Sequence, residues 1–343
     1  MDVISFGSVF LELVFGHLPE LPGPGEEIVT PEFSMSCGGA VTSATLAAAG
    51  GLRAGLCTTL GDDFGSQVVR AHCAAAGVDV SPSFVVNRPA AGITVVLNFA
   101  GDRGFVTHMP PVGEGDRPIL DHWFEVLRRE RPAWCYLHAG PHMPPFLRAA
   151  RELGCRIVLD TALSDLRPAA RAGGSSGDVV GAIGDALAGL AGGVQGASPG
   201  QEAGSGEPAD DVRAPVIECV RLADYFVPNA GELLRLTGAA DLDTALAIAV
   251  GWGTQLVVTR GVAGAVLASP DGRVSEVAEG VLRTTVRDLT GAGDSFAGAL
   301  IAALHQGAGL SDAVAQANAA GSRAVGLLGA LGEVHGEIAR WRG

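Results

Sequence analysis

The most informative run of the sequence is Asp288-Leu289-Thr290-Gly291-Ala292-Gly293-Asp294-Ser295-Phe296-Ala297-Gly298. A helix is predicted to follow its glycines, because apolar residues recur at i, i+3, i+4, i+7 and i+8 until Gly307. These residues are Phe296, Ala299, Leu300, Ala303 and Leu304. Gly291 and Gly293 let backbone N–H groups approach an anion, and the helix directs its positive dipole end to the same point. With Asp294 placed to accept the proton of a hydroxyl, the run predicts phosphoryl transfer.

A simpler interpretation makes Asp294 a helix N-cap and the glycines an ordinary turn, because Asp is a favoured capping residue. Taken alone, the two interpretations have even support. Two glycines, one alanine and two carboxylates lie within the seven residues 288–294, and this density favours the anion site.

Composition limits the classes of partner. The chain has 343 residues, 48% of them hydrophobic, which is enough for a large core in one domain or two smaller ones. A formal net charge of −14 repels phosphate backbones, so nucleic acid and anionic membranes are poor partners. The composition therefore favours a small-molecule ligand.

Lysine is absent from the sequence, and all 23 basic residues are arginines. Walker-A loops and protein kinases need a lysine on the phosphates, and Schiff-base enzymes need an amine. The sequence excludes these mechanisms, although codon bias in a GC-rich genome explains the missing lysine best.

The cysteines are scattered, with no C-x-x-C pair, and we interpret them as buried free thiols. The start of the chain has no basic segment of a signal peptide, and no run of about 20 uncharged apolar residues appears later. We therefore expect a cytoplasmic protein. The spacings of His108, His138 and His142 match no zinc pattern, so ordinary hydrogen-bonded histidines are expected there.

Short β-rich runs alternate with helical patterns along the chain, which predicts a mostly parallel sheet covered by helices on both faces. Strands are predicted at 3–7, 53–59, 134–138, 156–160, 224–227 and 256–259, and helices at 40–49, 64–76, 144–153 and 232–237. Ligands of such sheets bind at the C-terminal ends of the strands. We expect one domain over residues 1–343, interrupted by a mobile Gly-, Ala- and Ser-rich insertion at about 172–213.

Two stretches, about residues 9–35 and 88–110, have strand character with no helix between their strands. The second contains the turn Gly101-Asp102-Arg103-Gly104. They are predicted to form a small sheet that acts as a lid over the strand ends, and a decorative hairpin is the alternative.

Gly38 and Gly39 precede an Ala-rich helix, so glycines meet a helix N-terminus a second time. Backbone can approach a ligand there, but a turn that needs glycine for its dihedral angles is the better interpretation of this motif in isolation. Asp62 and Asp63 are expected to cap the helix that begins near Phe64.

Asn229 and Glu232 follow a predicted strand in a pattern that is typical of a capping box. At a strand end in a nucleotide site they would instead hold the water shell of Mg²⁺. Thr259 ends another strand before a turn with Gly261 and Gly264, where a nucleotide phosphate or a simple β-turn fits equally.

Taken in order, these pieces resemble the ribokinase-like (PfkB) carbohydrate kinase family over nearly the whole chain apart from the insertion. The run 288–294 matches the D-x-T-G-A-G-D core of the second family signature, and this match is the most specific one. Weaker matches are Gly38-Gly39, Gly61-Asp62-x-x-Gly65, the pair Asn229 and Glu232, Thr259-x-Gly261, and Asn318.

The resemblance implies a three-layer α/β fold with a β-sheet lid, and transfer of the γ-phosphate of ATP to a hydroxyl of a sugar or nucleoside. Asp294 would be the base, and the backbone of Gly291, Ala292 and Gly293 would form the anion hole. Asn229 and Glu232 would organise Mg²⁺ and phosphate. Residues expected to line the nucleotide pocket are Asn229, Thr259, Gly261, Gly264 and Asn318.

On the substrate side, the resemblance implies contacts from Glu12, Gly38, Gly39, Ser43 and Arg103. The sequence departs from the family at two of them, since Glu12 stands where Asp is usual and Ser43 where Asn is usual. A longer acid and a shorter polar group imply a different or larger acceptor, or a water that fills the gap.

The leading prediction is an ATP-dependent sugar kinase that needs Mg²⁺. A nucleoside kinase of the same superfamily is the nearest alternative, and a non-catalytic sugar- or nucleotide-binding regulator comes from another class. A dinucleotide-dependent oxidoreductase is disfavoured because no strand-to-helix turn carries a complete G-x-G-x-x-G. The resemblance also raises a homodimer formed through the lid sheets, which the sequence does not test.

Overall fold

The computed structural model describes residues 1–99, 102–111, 119–161 and 213–332. The predicted insertion at 172–213 lies outside these residues except for Arg213, and so does Gly101 of the predicted turn. The strands are β1 (Val3–Phe6), β2 (Val9–Leu18), β3 (Glu32–Gly39), β4 (Ala54–Cys57), β5 (Thr59–Leu60), β6 (Phe84–Val85), β7 (Gly92–Phe99), β8 (Asp102–His108), β9 (Trp134–His138), β10 (Arg156–Asp160), β11 (Tyr225–Phe226), β12 (Gln255–Thr259), β13 (Ala265–Ala268) and β14 (Val274–Val277). The helices are α1 (Ala40–Ala49), α2 (Phe64–Ala76), α3 (Ile119–Glu130), α4 (Pro144–Glu152), α5 (Arg213–Leu222), α6 (Ala230–Thr237), α7 (Leu242–Val250), α8 (Ala292–His305) and α9 (Leu310–Ala324).

The main sheet has the order β14-β13-β12-β11-β10-β9-β1-β4. Its strands from β12 to β4 are parallel, and β13 and β14 are added antiparallel at one edge. Side chains of successive strand residues point to opposite faces, so each strand supplies both sides of the sheet. In β10, for example, Ile157 and Leu159 pack into one core cluster and Val158 into the other.

The helices cover the two faces of the main sheet. One face packs against α3 to α7, through residues such as Trp123, Phe146 and Leu246. The other packs against α1, α8 and α9, through residues such as Leu300 and Val314. This gives the three layers that the alternation of strands and helices predicts.

A second, four-stranded sheet has the order β3-β2-β7-β8 and is formed by the two stretches without helices. In it β2 pairs antiparallel with β3 and parallel with β7, and β7 pairs antiparallel with β8. The prediction of a separate small sheet is thus confirmed, and its action as a lid stays a prediction. A short parallel pair is formed by β5 and β6, which lie between β3 and β7 in the sequence.

The local predictions agree closely with the structure where hydrophobic periodicity is strong. Both α1 and α2 have the predicted bounds, as do β9 and β10. Asp63 caps α2 by accepting a hydrogen bond from the Ser66 backbone N–H at 2.8 Å, whereas Asp62 makes no part of this cap. Helices α3, α5, α7 and α9 were not among the predicted elements.

All six cysteines are buried free thiols, as predicted. None of the helices in the described part of the chain combines the length and the apolar character that a membrane span needs.

Candidate active site

The candidate site lies where the parallel strands end and α8 begins. His138 is the last residue of β9 and Tyr136 lies two residues before it, while Asp160 is the last residue of β10. Asn229 follows β11 and pairs in a single parallel bridge with Thr259, the last residue of β12. The structure therefore brings residues from four neighbouring strand ends to one edge of the main sheet, which is where ligands of such sheets bind.

The loop before α8 is held by the carboxylate of Asp288. Its Oδ1 accepts hydrogen bonds from the backbone N–H of Thr290 at 2.9 Å and from the Thr290 hydroxyl at 2.6 Å. Its Oδ2 accepts one from the Gly329 backbone N–H at 3.0 Å. Asp288 is only 2% exposed, so in this structure it shapes the loop and does not face solvent.

Gly291 is the N-cap of α8 and adopts a left-handed conformation with φ 71°. A Cβ at this position would lie 2.4 Å from the Cβ of Ala330, so both the dihedral angle and the space require glycine. The Ser295 N–H donates to the Gly291 carbonyl at 2.9 Å, which closes the first turn. The N–H groups of Ala292, Gly293 and Asp294 precede it and have no acceptor within the helix, so they can bind an anion.

Asp294 is the third residue of α8, so the N-cap interpretation of this residue is wrong. Its Oδ1 accepts a hydrogen bond from the Tyr136 hydroxyl at 2.8 Å and lies 3.6 Å from Nε2 of His138. The Asp294 side chain is 20% exposed, so the carboxylate can still be reached from the solvent at the strand ends, a region called the cleft below.

Three acidic groups surround His138. Burial disfavours its charged form, but Asp294, Asp160 and Glu232 outweigh this and raise the pKa of His138 to about 8. Burial and the nearby Asp160 raise the pKa of Glu232 to about 7. The chain thus places the ring of His138 among carboxylates at the strand ends, in a site that has no lysine.

Asn229 and Glu232 form a complete capping box at the start of α6. The Glu232 N–H donates to Oδ1 of Asn229 at 2.9 Å, and the Asn229 N–H donates to Oε2 of Glu232 at 2.7 Å. The structural interpretation of this motif is therefore confirmed. A carboxylate whose charge is disfavoured by burial and by Asp160 is stabilised by a cation, so the donor set fits Mg²⁺ held through water.

On the predicted nucleotide side, Thr259 donates its N–H to the Pro228 carbonyl at 2.9 Å, which fixes the end of β12 next to Asn229. Gly261 lies in a short 3₁₀ turn, and a Cβ at Gly264 would meet the Val277 carbonyl oxygen at 2.2 Å. The side-chain amide of Asn318 donates to the carbonyls of Val277 and Glu279 at 3.0 and 2.9 Å. In this structure Asn318 therefore anchors the segment after β14, and its nucleotide contact stays a prediction.

On the predicted substrate side, Glu12 is 6% exposed and lies against the backbone of Gly38. A Cβ at Gly38 would meet Oε1 of Glu12 at 1.9 Å, so Gly38 makes room for this longer acid. Burial raises the pKa of Glu12 to about 7, with Asp288 and Asp294 adding to the effect. Gly39 has φ 79° at the N-terminus of α1.

The other two predicted substrate residues, Ser43 and Arg103, contact other residues of the protein. Ser43 is enclosed, and its hydroxyl pairs with that of Ser5 at 3.0 Å and donates to the Ala40 carbonyl at 3.1 Å. The structure thus gives the Ser43 side chain partners inside the protein, and its substrate contact stays a prediction. Arg103 lies in β8 of the small sheet, with its guanidinium 5.4 Å from the centre of the Phe105 ring.

Tyr136, His138 and Asp160 were missed as site residues by sequence reasoning. Tyr136 and His138 lie two apart in β9 and so share a face, and Asp160 is paired with His138 across the sheet. The available signal was a polar residue at the end of each of two predicted parallel strands. This signal was overlooked because the residues looked like ordinary members of buried strands.

Comparisons with known proteins agree with this architecture. The model of the pfkB family carbohydrate kinases matches residues 205–334, which include α5 to α9 and the run 288–294. The resemblance to this family is confirmed by the match.

A curated cytidine kinase from Thermococcus kodakarensis is 38% identical over 99 residues, which are 28% of this chain and 35% of that protein. The matched region is thus about a third of the length of this relative.

Two solved structures are similar over their whole length. One is an E. coli protein named as a candidate ribokinase II in complex with ATP and Mg²⁺, with a TM-score of 0.71 and 19% identity over 99% of both chains. The other is Arabidopsis thaliana ribokinase complexed with ribose and ATP, with a TM-score of 0.67 and 19% identity over 98% of this chain and 97% of that one. These likenesses confirm the ribokinase-like α/β fold with its small mixed sheet.

Proposed function

We propose that this protein, a PfkB-family carbohydrate kinase with a ribokinase-like fold, transfers the γ-phosphate of Mg-ATP to a hydroxyl of a carbohydrate. The observation that carries the proposal is the position of Asp294. It lies in the first turn of α8, whose first three N–H groups, its own included, have no acceptor within the helix. A carboxylate and an anion-binding helix terminus at one point are what hydroxyl deprotonation and phosphoryl transfer require together.

In the proposed reaction, Asp294 accepts the proton of the acceptor hydroxyl. The N–H groups from Gly291 to Gly293 hold the charge of the transferred group, and Gly291 keeps them in place because of its left-handed conformation. Asn229 and Glu232 would hold Mg²⁺ through water. The ion, when bound, supplies positive charge that neutralises the phosphates.

The nucleotide is proposed to lie beside Thr259, Gly261, Gly264 and Asn318. Thr259 and Asn229 are bridged across neighbouring strand ends, so the proposed nucleotide side is continuous with the proposed metal side. Support comes from the fold, since a structure with the same fold was solved with ATP and Mg²⁺.

For the acceptor we propose a sugar that contacts the backbone of Gly38 and Gly39, with Glu12 and Arg103 nearby. Ser43 is proposed to lie beside the same substrate, although its hydroxyl already pairs with Ser5 and donates to the Ala40 carbonyl. A nucleoside is the second candidate, and the identity to a cytidine kinase favours it. A binding-only regulator remains the alternative of a different class.

The proposed setting is a cytoplasmic enzyme whose partner is a small molecule. Six buried free thiols are typical of a reducing compartment. A homodimer through the small sheet is proposed from the family resemblance alone, and its mass in solution tests it.

The deciding experiment measures ADP release from Mg-ATP with a panel of sugars, sugar phosphates and nucleosides. Asp294→Asn is compared with Asp312→Asn, which alters an exposed acid in the first turn of α9. We expect release with one acceptor class, lowered at least about 10²-fold by Asp294→Asn and unchanged by Asp312→Asn. ATP binding without release for any acceptor would favour the regulator, and turnover with nucleosides alone would favour the second candidate.

A further inference from the structure

One face of β9 is aimed at the start of α8. Trp134, Tyr136 and His138 alternate along the strand and so point to the same side of the sheet, where α8 packs. Tyr136 is fully buried, and its hydroxyl reaches Oδ1 of Asp294 at 2.8 Å, across 158 residues of sequence. A buried phenol needs a partner for its hydroxyl, and the proposed base supplies it.

His138 lies one strand repeat closer to the cleft. Its Nε2 is 3.2 Å from the Tyr136 hydroxyl oxygen and 3.6 Å from Oδ1 of Asp294. The side chain of His138 is 31% exposed, so it approaches the carboxylate from the solvent side. Tyr136 is fully buried and approaches the carboxylate from the core.

The protons of this cluster can be assigned from its geometry. Burial and the neighbouring carboxylates Asp294 and Asp160 raise the pKa of Tyr136, so the phenol keeps its single proton. The Tyr136 hydroxyl lies 3.4 Å from Oδ2 of Asp160 and only 2.8 Å from Oδ1 of Asp294, so its proton is donated to Asp294. The lone pairs of the phenolic oxygen can then accept from Nε2–H of His138.

The phenol therefore donates directly to Oδ1 of the base, and the His138 ring, which donates to the phenol, lies 3.6 Å from the same oxygen as an ion-pair partner. Hydrogen bonds to an ionised carboxylate are strong and directional, and they fix its orientation. Asp160 and Glu232 also act on His138 together with Asp294, and the chain has no lysine that could pair with these acids.

We propose that Tyr136 and His138 are positioning residues that hold Oδ1 of Asp294 so that its Oδ2 takes the proton of the acceptor hydroxyl. The inference rests on the proposed function. In the step, the acceptor O–H bond breaks and its proton moves to Oδ2, while the acceptor oxygen forms a bond to the γ-phosphorus. The bond from that phosphorus to the bridging oxygen breaks, and its electron pair leaves with ADP. The protons of Tyr136 and His138 stay on these residues.

The test compares Tyr136→Phe, His138→Leu and His138→Gln for kcat and for the KM of ATP, with thermal melting as the check on folding. Tyr136→Phe removes one oxygen and keeps the ring, and His138→Gln keeps an N–H donor of similar reach. We expect Tyr136→Phe and His138→Leu each to lower kcat about 10- to 100-fold, as for the loss of a hydrogen bond to a charged group. The KM of ATP should change less than about twofold, and His138→Gln should recover most of the rate lost in His138→Leu.

Tyr225→Phe is the matched control, because it removes the other tyrosine hydroxyl of the chain, which accepts from Nη2 of Arg156 at 2.9 Å. It should leave kcat unchanged. An active wild type with unchanged kcat in Tyr136→Phe and His138→Leu would overturn the positioning role alone. A wild type without turnover on any acceptor would overturn the proposed function, and with it this role. If Tyr136→Phe has a lowered melting temperature, the test rests on the two His138 variants. Equal kcat values in His138→Leu and His138→Gln would then contradict the role of a donor at this position.

Discussion

The carboxylate of Glu12 accepts a hydrogen bond from the backbone N–H of Ala330 at 3.3 Å, which joins the small sheet to a loop near the end of the described chain. The same loop donates the Gly329 N–H to Asp288 and places Ala330 against Gly291. Glu12 is thus linked through two adjacent residues to the loop that begins α8. The buried acid Glu12 therefore helps to support the loop that carries the proposed anion hole.

The free energy of unfolding should depend on pH through Glu12. Burial raises the pKa of Glu12 from 4.5 to about 7 in the folded protein. Between these values the unfolded chain loses this proton while the folded protein keeps it, so stability decreases as pH rises through the window. The contribution is on the order of 3 kcal/mol.

Glu12→Gln removes this titration and keeps an oxygen that can accept from Ala330. We expect the stability of the variant relative to wild type to increase between about pH 4.5 and about pH 7, measured by urea unfolding. Glu27→Gln, at an exposed position, should follow wild type throughout. A difference between Glu12→Gln and wild type that does not change with pH would show that the buried acid is already ionised.

Gly291 and Gly307 lie at the two ends of α8. Substituting each of them by Ala distinguishes the cost of a strained backbone from the cost of a steric clash. Both have positive φ, 71° and 87°, but a Cβ would meet Ala330 at Gly291 and nothing within 4 Å at Gly307. Gly307→Ala should cost about 1–2 kcal/mol of stability and leave kcat unchanged. Gly291→Ala should cost about 1–3 kcal/mol more from overpacking and lower kcat at least about 10-fold.

Urea unfolding and steady-state rates check both variants. Equal costs in stability and unchanged turnover would mean that the loop can move away from Ala330 without disturbing the proposed anion hole.

The local structure of this protein could be predicted from the sequence, but contacts between residues far apart in the sequence could not. The bounds of α1, α2, β9 and β10 follow from hydrophobic periods and caps within a few residues, and the Gly291 turn follows from its glycines. The contact of Tyr136 with Asp294 depends on how β9 packs against α8. In the sequence, Tyr136 cannot be distinguished from the other large residues of a buried strand. The pairing of the Ser43 hydroxyl with Ser5 was unpredictable for the same reason, because Ser5 lies in a different element.

Asn318 offers a test of the proposed nucleotide side. Its amide holds the carbonyls of Val277 and Glu279, so Asn318→Ala leaves two acceptors without this donor. We expect a loss of about 1–3 kcal/mol in stability and a rise of about 3- to 10-fold in the KM of ATP, with kcat within about twofold. Gln316→Ala, at an exposed position of the same helix, is the control for both measurements. A normal KM in a destabilised Asn318→Ala protein would assign Asn318 to structure alone.

His138 should couple stability to pH in a second, higher window. The carboxylates of Asp294, Asp160 and Glu232 face it, and they raise the pKa of His138 from 6.5 to about 8 against the effect of burial. Its protonation stabilises the folded protein fully below about pH 6.5, where the unfolded chain is protonated as well, and this contribution is lost as pH rises through about 8. Melting temperatures of wild type and His138→Gln, measured at about pH 6 and about pH 9, report the coupling.

The melting temperature of wild type should fall more than that of His138→Gln over this range, because Gln cannot gain or lose the proton. His108→Gln, at an exposed position of β8, should fall in parallel with wild type and so corrects for the other groups that titrate. A parallel fall in His138→Gln would mean that His138 is neutral near pH 7. The neutral ring could still donate from Nε2–H to the phenol, but the repulsion among the three carboxylates would then have to be relieved by a cation at the proposed Mg²⁺ site.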